Sequence, residues 1–248
     1  MQAEMSKDMT PQDFAGAAHD LIYTRLDLPA LPSVDVEALL DWMFDKQRSV
    51  MGEQRLHDTH TRGGTHINTY PWRAVHACSD DVWDSDFKQH FPQLVGYLRH
   101  FPATSWKRVC VVCQLAGSQV FIHTDPDFGV GWRVYLNHGG PRLYFQKFKT
   151  RHSVRPQTWA SGGPQGIEAL CQPERHYVNG SGTYPWALTS IRAAHGVEEN
   201  TAETGARVTL LLFPNIDTVD TAAHTDLLLR SARKFSDTAI WYGSETDQ

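Results

Sequence analysis

With 248 residues, 41% apolar and 21% charged, the chain is long enough to bury a sizeable core. Eight tryptophans and eleven phenylalanines argue against disorder. A net charge of −5 with no basic block gives no reason to expect a nucleic-acid partner, and no run approaches the roughly 20 apolar residues of a membrane helix. The first twenty residues lack the apolar core of a signal peptide, so the expectation is a cytoplasmic protein with no membrane partner.

Residues 1–18 are polar and small and read as a loose arm, with 19–248 as a single domain. Leu21 to Leu28 alternates as a strand. Ser33 then reads as the N-cap of a helix over 34–47, with Leu39, Leu40, Met43 and Phe44 at helical spacing. From Met51 to Asp81 the chain reads as an irregular, histidine-rich loop, either plain surface or a lid over a site. Its histidines, His57, His60, His66 and His76, have spacings that fit no standard ligand set. A helix is expected over 84–101 despite Pro92, and another over 220–235, both as outer packing.

Between about 105 and 215 the texture changes to short apolar runs separated by turns: 108–115, 118–123, 131–136, 142–148, 175–178, 186–195 and 207–213. Such strands with flanking helices read as a mainly β fold, a jelly roll or other double-sheet sandwich. Thr150 to Gly166 reads as a loop. The four cysteines are Cys78, Cys110, Cys113 and Cys171. On a strand, Cys110 and Cys113 face opposite sides and cannot share one metal, so all four read as buried thiols.

The strand Val120 to Asp125 ends in a histidine and a carboxylate two residues apart, and residues i and i+2 of a strand share a face. His123 and Asp125, joined by a distant His195, make a 2-His-1-carboxylate triad that leaves positions open on a non-haem Fe(II). H-x-D alone is weak among 13 histidines and 28 acidic residues. His138 and His176 are other histidines within range. Neither is followed by an arginine opening an apolar strand, as His195 is by Arg207 twelve residues on. A strand, a turn-rich link and an antiparallel return would set that arginine at the floor of the metal pocket.

The order H-x-D at 123–125, R-V-Y-L-N at 133–137, then His195, Asn200 and Arg207 resembles a known family over about residues 105–215. It is the aspartyl/asparaginyl β-hydroxylase-like branch of Fe(II)/2-oxoglutarate dioxygenases, which includes bacterial free amino-acid hydroxylases. The resemblance implies a double-stranded β-helix, the cupin-like jelly roll. It implies iron bound by His123, Asp125 and His195, with Fe(II), 2-oxoglutarate and O2 as cofactor and cosubstrates. Arg207 matches the arginine for the C5 carboxylate of 2-oxoglutarate, and a guanidinium offers that carboxylate a bidentate fork. Arg133 matches the arginine near the C1 carboxylate. Tyr135, on the same face of that strand, stands where the family commonly has histidine.

The reaction so implied hydroxylates an unactivated C–H of a small amino-acid-like or peptidyl substrate, with succinate and CO2 as coproducts. Desaturation or ring closure can use the same ligands. Arg73 and Trp72 are candidates for a substrate carboxylate anchor and an apolar wall. Two alternatives remain at this point: a metal hydrolase on the same ligands, and a non-catalytic cupin-like metal-binding protein.

Overall fold

A computed structural model describes residues 21–50, 72–116, 119–123, 131–136, 142–148, 163–178, 185–188, 194–201 and 205–241. The expected arm at 1–18, His57, His60, His66, Asp125 and His138 lie outside the described residues. The strands are β1 (Leu21–Arg25), β2 (Trp72–Ser79), β3 (Val82–Trp83), β4 (Trp106–Gln114), β5 (Val120–His123) and β6 (Gly131–Tyr135). They continue as β7 (Leu143–Phe148), β8 (Cys171–Val178), β9 (Trp186–Leu188), β10 (Ala194–Val197), β11 (Arg207–Pro214) and β12 (Ile240–Trp241). The helices are α1 (Val36–Val50), α2 (Ser85–His90), α3 (Pro92–Tyr97), α4 (Gly163–Leu170) and α5 (Thr221–Lys234).

The strands form two antiparallel sheets, ordered β12-β1-β9-β6-β11-β4-β2-β3 and β5-β10-β7-β8. The run β4 to β11 winds between them, with β4, β6, β9 and β11 in the large sheet and β5, β7, β8 and β10 in the small one. In each sheet a late strand closes between two early ones: β11 lies between β4 and β6, and β10 between β5 and β7. This is the winding of a jelly roll, one of the double-sheet folds that the strand count suggested and the double-stranded β-helix that the resemblance implied. The fold is mainly β with flanking helices.

Period-2 alternation assigns the faces. Val109, Val111, Cys113, Trp132, Val134, Val208, Leu210 and Leu212 of the large sheet share one core with Leu39 and Met43 of α1, Phe87 of α2, Leu94 of α3, and Leu227 and Leu228 of α5. The small sheet turns Ile122, Tyr144, Phe148 and Ala194 toward Ile167 of α4. A third cluster joins the two sheets, bringing Tyr23 of β1 and Ile240 of β12 to Val120, Leu143, Phe145, Val178 and Val197. All four cysteines are buried thiols, as expected.

Several elements differ from the sequence reading for local reasons. The first helix starts at Val36, capped by Asp35 rather than Ser33: the Asp35 Oδ1 accepts from the Ala38 N–H at 3.0 Å. The helix expected over 84–101 is broken into α2, α3 and a 3₁₀ turn at Leu98–His100. Pro92 has no N–H to continue α2, and it restarts the chain at the first position of α3. Asp84 caps α2 through the Phe87 N–H at 2.8 Å and accepts the Trp42 indole N–H at 3.1 Å, tying α1 to α2.

The loop reading of 51–81 fails from Trp72 onward, because Trp72–Ser79 pairs with β4 and buries Val75 and Ala77 in the core. Residues 163–166, read as loop, begin α4. The segment 186–195 is two strands in different sheets, β9 in the large and β10 in the small. The β11 return therefore pairs with β4 and β6, not with the strand that carries His195.

Candidate functional site

Strands β5 and β10 are antiparallel neighbours, with His123 directly opposite His195. Residues opposite one another project from the same face. The imidazole ring centres are 4.5 Å apart, their planes 47° from parallel, and the residues only 9% and 7% exposed. The face is the inner one. Ala194 joins the cluster under α4, whereas Val197 and Phe145 belong to the cluster between the sheets, and the Phe145 ring is 6.0 Å from that of His195.

A register shift sets this up. Val197 is opposite Val120 while His195 is opposite His123, so β5 carries one extra residue. Such a bulge re-aims side chains. Here it leaves both Val120 and His123 on the inner side while Ile122 packs outward. Gly196, between His195 and Val197, lies under Tyr144: a Cβ there would stand 2.5 Å from the Tyr144 hydroxyl and 2.8 Å from the Val120 carbonyl oxygen. The glycine lets β10 lie this close to its neighbours.

The histidine pair fits a metal. Two imidazoles that each put a nitrogen about 2.1 Å from one ion, at adjacent positions, hold their ring centres about 4.5 to 5 Å apart. Imidazole nitrogen suits iron as well as zinc. Among the described residues no cluster of three or more His, Cys, Asp or Glu is found, and the expected third ligand, Asp125, lies outside them. His176 is in the same cross-strand row, opposite Phe145, but two strands away from His195. Burial lowers its pKa. It is not paired with His123.

Arg207 opens β11 opposite Gln114, the last residue of β4. On β11 the alternate residues Val208, Leu210 and Leu212 go to the helix-covered core, which puts Arg207 and Thr209 on the inner face. Both partners are buried, Arg207 at 7% and Gln114 at 2% exposed, and the Arg207 Nη1 donates to the Gln114 Oε1 at 2.8 Å. Asn200, fully buried on the link from β10 to β11, donates its side-chain N–H to the Gln114 backbone carbonyl at 2.7 Å. The link is thus tied down beside the arginine.

Arg133 is also buried and on the inner face of β6, opposite Leu211. It therefore lies four positions, about 13 Å, along β11 from Arg207. Its guanidinium stands over the Phe213 ring at 5.6 Å to the centroid. The structure does not bring the two arginines together. Tyr135 is opposite Thr209, and Trp72 and Arg73 are opposite Gln114 and Cys113 on β2. Trp72 and Arg73 thus stand on a paired strand beside β4, not on a loop above the metal pair.

Gln114, the anchoring role of Asn200 and the tight seat of Gly196 were not anticipated. The available signal for the first was a glutamine closing the otherwise apolar run Val109 to Cys113.

No protein-family model matches the chain, and no curated protein matches it by sequence. Solved structures do. A Pseudomonas putida prolyl-4-hydroxylase is 14% identical, covering 81% of this chain and 98% of that one, with a TM-score of 0.40. The non-haem α-ketoglutarate-dependent carbocyclase SnoK of nogalamycin biosynthesis is 10% identical, covering 83% of each chain, with a TM-score of 0.46. A 2OG-Fe(II) oxygenase family oxidoreductase from Burkholderia pseudomallei is 13% identical, covering 84% of this chain and 91% of that one, with a TM-score of 0.39. At such identities and scores the site assignment rests on the register and side chains of this chain alone.

Proposed function

We propose that the protein is a non-haem Fe(II)- and 2-oxoglutarate-dependent dioxygenase of the aspartyl/asparaginyl β-hydroxylase-like branch, hydroxylating an unactivated C–H of a small amino-acid-like or peptidyl substrate. The observation that carries this reading is the buried, facing pair His123 and His195 on the inner side of a jelly roll whose other sheet holds a buried arginine, Arg207, on its own inner face. In this reading His123 and His195, with Asp125 two residues on, hold the metal. Bound there, iron supplies O2 activation coupled to decarboxylation of 2-oxoglutarate to succinate and CO2.

The remaining work belongs to the chain. Arg207 takes the C5 carboxylate of 2-oxoglutarate and fixes its orientation. Trp72 and Arg73 are the candidates for the substrate. The apolar cluster around Phe145, Val120 and Val197 limits water next to the metal, so that oxidation is directed at the bound substrate. A hydrolase reading would leave the buried Arg207 without a role.

The test is a screen of free amino acids and short peptides for O2-dependent, substrate-stimulated succinate formation, with mass analysis for a gain of one oxygen. Alongside it, Arg207→Lys keeps the charge but loses the fork and should raise the KM for 2-oxoglutarate with iron affinity intact. Arg207→Ala should lose about 2 to 5 kcal/mol, roughly 30-fold or more in affinity. Succinate release that never depends on any small substrate, together with unchanged KM in both variants, sinks the reading.

A further inference from the structure

We infer that Gln114 is a second carboxylate-binding residue, donating from its side-chain amide to the same distal carboxylate that Arg207 neutralises. The inference rests on the 2-oxoglutarate reading above and assigns selectivity for a dicarboxylate to a glutamine–arginine pair.

A guanidinium can only donate, so the contact from the Arg207 Nη1 at 2.8 Å requires the amide oxygen of Gln114 on that side. The amide orientation is thereby fixed by chemistry. The Nε2 of Gln114, two bonds from that oxygen, is shielded from solvent and has no hydrogen-bond partner among the described residues. A buried amide donor left unmet is costly, and such a group calls for a partner, an ordered water or a ligand. The side chain is also held still. Its backbone is paired to Arg207 on one side and Trp72 on the other, and its carbonyl accepts from the buried Asn200.

The residue type matters as much as its place. A glutamate at 114 would neutralise Arg207 inside the protein. Glutamine, being neutral, orients the guanidinium without neutralising it and adds neutral N–H donors next to it. One cation with an adjacent amide donor suits a planar carboxylate, which accepts on both oxygens.

The experiment uses the full chain loaded with Mn(II) in place of Fe(II). The affinities of 2-oxoglutarate and of 2-oxopentanoate, which lacks the distal carboxylate, are measured calorimetrically for wild type, Gln114→Met and Gln114→Glu, with circular dichroism and Mn(II) affinity as controls for fold and metal site. Wild type should prefer 2-oxoglutarate. Gln114→Met should weaken 2-oxoglutarate by roughly tenfold or more and leave 2-oxopentanoate unchanged. Gln114→Glu should abolish the preference.

A readout on wild type alone does not depend on either variant folding. The Gln114 side-chain amide resonance, labelled with ¹⁵N and assigned by unnatural labelling at that position, should shift with 2-oxoglutarate and not with 2-oxopentanoate. A full dicarboxylate preference in Gln114→Met, or an amide resonance indifferent to 2-oxoglutarate, overturns the role of Gln114 while leaving the cosubstrate reading standing. Wild type that binds Mn(II) but shows no preference between the two acids overturns both.

Discussion

Along β11, Val208, Leu210 and Leu212 are essentially inaccessible and packed against the helices, while Arg207 and Thr209, at the alternate positions, are almost as deeply buried and polar. The same strand therefore builds two kinds of interior. On the helix-covered face, burial of apolar area stabilises at about 25 cal/mol per Å² and needs no particular partner. On the inner face, a guanidinium and an amide have been taken out of water, which lowers stability unless each finds a specific contact. The difference teaches where to look for function: the helix-covered face accounts for the fold, and the inner face contains groups that the fold alone does not explain.

The comparison breaks most sharply at the facing histidine pair. His123→Ala and His195→Ala should each lower Fe(II) affinity on the order of 100-fold or more and remove turnover, with the thermal midpoint little changed. Asp125→Ala should do the same, and His176→Ala should be mild. Anaerobic iron titration with circular dichroism decides this: a variant at 123 or 195 that keeps wild-type affinity removes the pair from the metal centre. On the opposite face the pattern reverses. Leu210→Ala should cost about 2 to 5 kcal/mol in urea unfolding and leave iron affinity alone.

Gly196→Ala tests the boundary between the two behaviours. Its new methyl would meet the Tyr144 hydroxyl and the Val120 backbone oxygen, and a backbone atom cannot swing aside. A loss of about 1 to 3 kcal/mol is expected. Because Gly196 adjoins His195, iron affinity should fall with stability. Retained affinity in a destabilised Gly196→Ala would show that the histidine pair does not depend on this seat.

The fold class was legible because six of the eight strands from β4 to β11 carry enough β-branched and aromatic residues, between glycine-rich turns, to read individually. Sheet membership was not, since it depends on pairings that no local pattern encodes. Trp186 to His195 reads as one apolar run, yet β9 and β10 belong to different sheets. For the site, H-x-D and a distal histidine marked the facing pair His123 and His195, and alternation put Arg133 on the pocket side of its strand, whereas Arg207 was expected there from an antiparallel return onto the His195 strand that β11 does not make. The bulge in β5 and the Gln114 contact come from cross-strand register, which is why they were invisible. Trp72 and Arg73 were read as loop because the histidines and glycines before them mask where β2 begins.

The smallest effect comes from a place where the helix-covered face breaks its own rule. His224 of α5 stands edge-on to Trp132 at 5.4 Å, and its Nδ1 and the Trp132 Nε1 are both buried without hydrogen-bond partners among the described residues. Burial pushes the His224 pKa down to about 4, against 6.5 for the free side chain. The imidazole is therefore neutral in the folded protein under conditions where the unfolded chain would already bind a proton. With the folded pKa lowered, stability is complete above the unfolded value and declines as pH falls from about 6.5 toward 4. Between pH 7 and pH 5 the expected loss from this residue is roughly 1 to 2 kcal/mol. His176, lowered by burial, and His76, lowered by burial and by Arg108, shift in the same direction and form the background. His224→Leu isolates the contribution: urea unfolding at pH 7, 6 and 5 should show a shallower decline in the variant than in wild type. Parallel declines would mean that His224 titrates normally and that this face is as indifferent to pH as its apolar neighbours imply.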